Sequence, residues 1–208
     1  PAIRYRIFTL FFASLFLFLS AVSCFGSQVT DQMKATINGV LQVVTSVEYK
    51  NDRQTRRRLI RDLLDKRFSY EQMSMRSLAK TWKNISQAER REFTQLFGKL
   101  LENSYARKIE SASEERVNYK DEKIKGRYAL IKTEIIRNTG PISVDYKLIL
   151  LGDEWKVYDV VIDGISLVKN YRSQFNRIIH KESYDALKKK IITRISNIES
   201  DQIIADEL

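Results

Sequence analysis

The spacing of apolar residues changes twice along this 208-residue chain, and these changes restrict the fold more than any single motif does. From Val29 to Ile109, apolar residues recur every three or four positions, which is the period of amphipathic helices. From Tyr128 to Ile162 they alternate with polar residues, as in strands that bury one face. Beyond Gly164 the helical period returns and continues to Ile198. Helices followed by strands and again by helices predict an α+β fold.

The predicted strands are separated by short turns. Strands are expected at 128–136, 142–150 and 155–162, with a weaker first strand that includes Val117 and Tyr119. Turns at 138–141 and at Gly152-Asp153 are too short for parallel crossovers, so the strands should form an antiparallel meander. We expect a four-stranded curved sheet with helices packed on one face. Such a sheet can enclose an apolar cavity or cover a filled core, and periodicity does not separate the two cases.

Two helices in the first half have clear starting signals. Ser69 with Gln72, and Ser86 with Glu89, have the spacing of capping boxes. The helix predicted after Ser69 runs on through Ala79 to Trp82. Two further helices precede Ser69, and two more follow the strands.

The N-terminus has the pattern of a secretory signal peptide. Arg4 and Arg6 precede an uncharged apolar run at 7–22, which is short for a membrane span and ends in small residues. We expect a signal peptide at 1–27, with cleavage somewhere between 23 and 27, and a single domain at 28–208. An uncleaved membrane anchor and a lipoprotein cleavage site at Cys24 are the alternatives.

The composition excludes several classes of catalytic and metal-binding site. With one Cys and one His, the chain lacks the residues for disulfide frameworks, for multi-cysteine metal sites and for the zincin His pair. Motifs for nucleotide phosphates or a nucleophile elbow are missing too. We therefore expect no metal and no cofactor. His180 should be a surface residue, and Asp159 and Asp163 a strand-end cap and a turn residue.

The formal net charge of +10 favours acidic partners. The basic residues concentrate at 53–61 and at 188–190. Acids are interleaved with them and no exposed aromatic residues are spaced for base stacking, so we expect no nucleic-acid binding. Anionic lipid surfaces or an acidic protein remain open as partners.

The segment 155–175 resembles the MlaC family of periplasmic phospholipid-binding proteins, also known as toluene-tolerance auxiliary components of an ABC transporter. It contains in order a W-x-V-Y-D strand (155–159), a D-G-I-S turn (163–166) and a Y-R-S-Q-F helix (171–175). The helix from Ser86 to Tyr105 also looks like the family, and the resemblance covers roughly 30–198. One departure is Ala79, which stands where the family often has Gly.

The resemblance implies a function. A protein of this kind would carry phospholipid through the periplasm between an outer-membrane lipoprotein complex and an inner-membrane ABC transporter, and so maintain outer-membrane lipid asymmetry. It would be a non-enzymatic monomer whose only ligand is the lipid. The acyl chains would lie in an apolar cavity between sheet and helices.

The residues expected to line this cavity come from strands and helices. On the sheet side and in the following turn and helix they are Ile142, Val144, Tyr146, Leu148, Ile165, Leu167, Tyr171 and Phe175, and on the opposite wall Phe93, Phe97 and Leu101. Trp155 is expected either at the cavity floor or as a core anchor. Arg172 is expected to be structural and to pair with Asp159, and a contact with the lipid head group is the alternative.

Two other readings of the residues stay open. The chain could be an exported binding or scaffold protein with a filled core that uses its basic face to hold an acidic partner. It could also be a small pocket enzyme that uses Asp159 or Asp163.

Overall fold

The computed structural model describes residues 25–112 and 115–207 of the chain. Within them the elements follow in the order predicted from the sequence, helices before and after a run of strands. The helices are α1 (Phe25–Thr45), α2 (Arg53–Arg67), α3 (Tyr70–Leu78), α4 (Lys80–Asn84), α5 (Gln87–Glu110), α6 (Leu167–Lys181) and α7 (Tyr184–Glu207). The strands are β1 (Arg116–Lys125), β2 (Tyr128–Ile136), β3 (Ile142–Leu151), β4 (Glu154–Ile162) and β5 (Ile165–Ser166).

The strands form one antiparallel sheet in sequence order, β1-β2-β3-β4-β5. The α+β prediction is therefore confirmed, with one addition: the two-residue strand β5 makes five strands where four were expected. Asp163 and Gly164 connect β4 to β5 with positive φ angles of 46° and 80°. A two-residue Asp-Gly turn with both residues in the left-handed region is a favoured way to join adjacent antiparallel strands.

β4 contains a bulge that matters for the face it presents. Lys147 pairs with Asp159 and Leu148 pairs with Val157, so Tyr158 is left without a partner in β3. Because one residue is inserted, the alternation of sides shifts along the strand. Val157 and Val160 are both buried in the same apolar cluster as a result.

The apolar interior consists of two separate clusters. The sheet cluster joins the inner faces of β2, β3 and β4 to Val29 and Met33 of α1. The helix cluster joins residues of α3 to α7 and contains the large aromatic side chains. Phe68, in the link between α2 and α3, packs against both clusters. The same link is attached to the sheet edge, where the Ser69 N–H donates to the Val157 carbonyl at 2.9 Å.

The helix starts confirm the capping signals read from the sequence. The Ser86 side chain accepts from the Glu89 N–H, and the Glu89 carboxylate accepts from the Ser86 N–H at 2.8 Å. Ser69 accepts from the Gln72 N–H and starts α3. The continuous helix predicted beyond Ser69 is wrong, because Ala79 adopts φ 53° and ψ −113° and divides it into α3 and α4. L-residues rarely adopt that conformation, and it breaks the helical hydrogen-bond pattern.

The predicted signal peptide lies almost entirely outside the described residues, which begin at the first residue of α1. Among the helices described, none has both the length and the apolar character to cross a membrane.

Candidate functional site

The inner face of the sheet is mostly apolar, and α1 covers part of it. Its residues alternate along the strands as the sequence predicted, and the N-terminal half of α1 lies over them through Val29, Met33 and Ile37. The buried sheet residues are Ala129, Ile131, Val144, Tyr146, Leu148, Trp155, Val157 and Val160. Val29 and Met33 are almost fully excluded from solvent, so this helix completes the interior of the sheet side.

Polar bonds hold α1 in this position. The Thr30 hydroxyl and N–H both donate to the Glu122 carboxylate on β1. The Arg67 guanidinium of α2 donates to the Gln32 side chain at 2.7 Å and to the Trp155 carbonyl at 2.7 Å. These bonds connect the N-terminal half of α1 to β1 directly and to β4 through Arg67. The contact of α1 with the inner face of the sheet is apolar.

The helix cluster is centred on aromatic rings in tilted and edge-to-face contact. Phe97 lies 6.0 Å from Phe93, 5.1 Å from Tyr171 and 5.3 Å from Phe175, measured between ring centroids. Edge-to-face geometry, as in the Phe97 pairs with Tyr171 and Phe175, is a favourable arrangement for aromatic rings. The centre of this cluster is therefore filled by its own side chains.

The predicted site residues fall into these two clusters. Val144, Tyr146 and Leu148 are buried members of the sheet cluster, and Ile142 and Leu167 pack against it. Phe93, Phe97, Leu101 and Phe175 are buried members of the helix cluster, and Tyr171 packs against it. Ile165 differs from both sets, because it is 64% exposed in the turn before α6. The structure brings together the members of each set, but places the two sets in different clusters.

Two tyrosines sit at one margin of the sheet cluster. Burial raises the pKa of the Tyr146 phenol, and the Tyr119 phenol and the Glu115 carboxylate raise it further. Burial also raises the pKa of Tyr119 to about 12. Both shifts reflect the exclusion of the phenols from water at this margin of the cluster.

The family-like segment 155–175 is held together by the buried carboxylate of Asp159. Its Oδ1 accepts from the Val168 N–H at 3.1 Å, and its Oδ2 accepts from the Ser166 hydroxyl at 2.7 Å and from Lys147 Nζ at 3.0 Å. Ser166 in turn accepts from the Lys169 N–H. A carboxylate at a helix N-terminus accepts hydrogen bonds from free N–H groups, and its negative charge is stabilised by the positive end of the helix dipole. Asp159 thus fixes the start of α6 to the sheet.

The structure resolves four expectations about single residues. Asp159 lies within β4 and not at its end as predicted, and it accepts from the start of α6, whose N-cap is Ser166. Asp163 is a turn residue, as predicted, and its Oδ1 accepts from the Ser143 N–H at 3.0 Å. The expected pair between Arg172 and Asp159 is wrong, because Lys147 holds the carboxylate and Arg172 lies exposed. His180 is exposed near the end of α6, as predicted.

A small hollow lies in the seam between α2 and α5. Its volume is about 30 Å³, whereas pockets that enclose drug-sized ligands measure roughly 300–1,000 Å³. The apolar lining consists of Ile60, Leu64, Tyr70, Ala106 and Ile109, and the charged lining of Arg57, Arg61, Glu102 and Glu110. A second, open groove runs along α7 beside charged and polar residues of that helix.

Ion pairs cross the α2–α5 seam. Arg57 Nε lies 2.6 Å from Glu110 Oε1, and Arg53 Nη2 lies 3.2 Å from Glu110 Oε2. Arg61 pairs with Glu102. Burial alone would raise the pKa of Glu110, but hydrogen bonds and charge from Arg57, and then from Arg53, bring it below the usual range. Much of the basic surface predicted at 53–61 is therefore engaged with acids of the same chain.

Sequence reasoning did not assign a site role to α1 or to this seam. The helical spacing of Met33 and Ile37 showed that α1 is amphipathic, but it contained no signal that its apolar face meets the sheet. The pairing of α2 arginines with α5 glutamates joins positions more than 40 residues apart, so no local spacing could reveal it.

Comparison with known proteins gives consistent results. The sequence model of the family described as MlaC protein matches residues 34–193. The intermembrane phospholipid transport system binding protein MlaC of Haemophilus influenzae is 28% identical over 164 residues, which are 76% of this chain and 75% of that protein.

A solved structure shares the fold. It is a phospholipid-binding protein from Ralstonia solanacearum in complex with a phospholipid, with a TM-score of 0.75 and 20% sequence identity. The match covers 81% of this chain and 97% of that one. At this identity the likeness establishes the α+β architecture.

Proposed function

Because the chain belongs to the MlaC family, we propose that it is a periplasmic phospholipid carrier that moves lipid between an inner-membrane ABC transporter complex and an outer-membrane lipoprotein complex. In this role it acts as a monomer without enzymatic activity and helps to maintain outer-membrane lipid asymmetry. The similarity to the Haemophilus intermembrane phospholipid transport system binding protein supports the lipid and the transport role. The predicted signal peptide supports the compartment.

The observation that carries the proposal is the division of the interior into two apolar clusters. The main-chain hydrogen bonds within the sheet and those within α3 to α7 form separate sets. The Ser69–Val157 bond and the bonds from Asp159 to the start of α6 join the two parts, so the boundary between the clusters can widen only away from these links. A hydrocarbon chain placed at that boundary would have apolar side chains on both sides.

The free energy of the cargo requires such an enclosed position. Two acyl chains contain on the order of 30 methylenes, and each is worth about 0.8 kcal/mol when removed from water. If a third of them stayed exposed, the lipid would lose roughly 8 kcal/mol relative to a bilayer. A deep site between apolar walls keeps the transfer near neutral, which suits a carrier that must both load and release.

We assign the lining of the lipid site to the predicted residues of the two clusters. One wall is the sheet set of Ile142, Val144, Tyr146, Leu148 and Leu167, and the other is the helix set of Phe93, Phe97, Leu101, Tyr171 and Phe175. Ile165, exposed in its turn, lies at the rim. The head group stays in solvent and needs no buried charge. The engagement of Asp159 and Asp163 in structural hydrogen bonds favours this role over a pocket enzyme.

A pair of neighbouring substitutions on β3 tests the proposal. Ile142 is half-buried against the sheet cluster, whereas Ser143 is exposed and points to the opposite side of the strand. Ile142→Trp should fill the end of the site and abolish transfer of pyrene-labelled phospholipid between vesicles. Ser143→Trp introduces the same side chain outside and should transfer lipid like the wild type. If wild-type protein transfers no lipid, or if both folded variants transfer at the wild-type rate, the proposed site is refuted.

A further inference from the structure

The seam between α2 and α5 differs from the other helix contacts of this structure. α5 packs closely on α3 and α7, and α2 packs closely on α1. Gly39 of α1 permits such an approach, since a Cβ there would lie 3.3 Å from the Leu63 side chain. α2 and α5 do not approach each other in this way. Long Arg and Glu side chains span the gap between them, above the hollow.

The hollow adjoins a pair of aromatic rings, one of which contacts both apolar clusters. Tyr70 forms part of its floor, and the Tyr70 ring stacks on that of Phe68 with centroids 6.4 Å apart. Phe68 is the residue that packs against both clusters. A path that begins at the seam and follows these two rings therefore ends where the sheet wall and the helix wall meet.

The lining of the hollow matches one kind of occupant. Its floor is aliphatic and aromatic, which suits an acyl chain. Its rim carries Arg57 and Arg61, with Arg53 beside them, and these arginines pair with Glu102 and Glu110. Asp65, which is hydrogen-bonded to Tyr70, lies near Arg61 as a third acid. An Arg guanidinium binds phosphate with the same two-bond geometry that it uses for a carboxylate. A lipid phosphate can therefore replace the glutamate carboxylates as the hydrogen-bond partner of the guanidinium groups.

We infer that the α2–α5 seam is the mouth of the lipid site and that the Arg57–Glu110 and Arg61–Glu102 pairs hold it closed. This inference rests on the proposed lipid-carrier function. Loading breaks the ion pairs, α2 moves away from α5, and the acyl chain enters over Tyr70 and Phe68. The phosphate of the lipid then lies at the arginine rim.

Two substitutions test the mouth from opposite directions. Glu110→Gln weakens the closing pairs, so lipid uptake should be about tenfold faster, the factor expected for loss of one charged hydrogen bond. Glu199→Gln is its control, because Glu199 pairs with Lys99 on the α7 side of α5 and the charge change is the same. Ala106→Trp fills the hollow and should slow uptake at least tenfold. Gln95→Trp places the same ring on an exposed position of α5 and should leave uptake unchanged.

The assay is uptake of pyrene-labelled phosphatidylglycerol from vesicles of phosphatidylethanolamine and phosphatidylglycerol, with thermal unfolding as the check of folding. If the wild type takes up no lipid, the carrier function itself fails. If the wild type takes up lipid and either Glu110→Gln or a folded Ala106→Trp behaves like its control, the seam inference is overturned and the carrier function stands. Should Ala106→Trp not fold, the Glu110→Gln and Glu199→Gln pair decides alone.

A third arm tests the phosphate contact. Diacylglycerol with the same labelled chain lacks the phosphate, so the wild type should take it up more slowly than phosphatidylglycerol. Equal rates would overturn the placement of the phosphate at the arginine rim.

Discussion

Replacing Ala79 with Gly should stabilise the protein, although Ala is normally the better residue in a helical region. Ala79 ends α3 and begins α4 with φ 53° and ψ −113°. The Cβ of an L-residue is crowded by backbone atoms at this combination, whereas Gly adopts it without strain. The resemblance to a family that often has Gly here agrees with this geometry.

The expected gain follows from three contributions. Relief of a strained backbone conformation is worth about 1–3 kcal/mol. Gly costs about 0.5–1 kcal/mol through the larger entropy of the unfolded chain. The half-buried methyl group contributes at most a few tenths of a kcal/mol, given about 0.8 kcal/mol for a fully buried group. The net effect is a stabilisation of about 1 kcal/mol, which corresponds to a rise in Tm of roughly 2–4 °C for a domain of this size.

The assay is urea unfolding followed by circular dichroism, with scanning calorimetry for Tm. Ala35→Gly is the matched control, because Ala35 is exposed in the middle of α1 and has an ordinary helical backbone. The control should lose about 1 kcal/mol. Opposite signs for the two substitutions support the reasoning. A loss of stability in Ala79→Gly as large as that in Ala35→Gly would refute it.

Three further outcomes are expected. Asp159→Ala should cost about 3 kcal/mol in urea unfolding, since it leaves Lys147, Ser166 and the α6 N-terminus without their partner; a loss below about 0.5 kcal/mol would contradict the capping role. Phe97→Ala should cost about 3–5 kcal/mol, and a much smaller loss would mean that the aromatic cluster is not close-packed. The pKa of Glu110 is lowered in the folded state, so its stabilisation is present above the usual value of 4.5 and is lost as pH falls through the folded pKa. Glu110→Gln should therefore flatten the pH dependence of the unfolding free energy below about pH 4.5, and an unchanged slope would argue against the ion pairs.

Local signals in the sequence predicted β2, β3 and β4 and the starts of two helices, α3 and α5. β2 has the predicted bounds, and β3 and β4 each differ by one residue, because alternation and turn residues act over a few positions. Ser86 and Glu89 placed the start of α5 for the same reason. The break between α3 and α4 at Ala79 was not predicted, because the spacing of apolar residues contains no information about the φ angle of an Ala residue.

The candidate site was harder to predict than the fold. Periodicity identified Tyr146, Leu148, Phe93 and Phe97 as inward-facing, and all four are buried. It could not show that the strand residues and the phenylalanines belong to different clusters, because burial of a face does not reveal what covers it. For Asp159, charge suggested Arg172 as a partner, whereas the antiparallel register of β3 and β4 brought Lys147 opposite.

The central claim is that this protein holds a phospholipid, and native mass spectrometry of protein purified from cells without detergent tests it most directly. The account predicts a complex of one chain with one phospholipid, identified by organic extraction, and loss of that complex in Ile142→Trp but not in Ser143→Trp. A wild-type protein that has only the mass of the bare chain, and stays so after incubation with phospholipid vesicles, would contradict it.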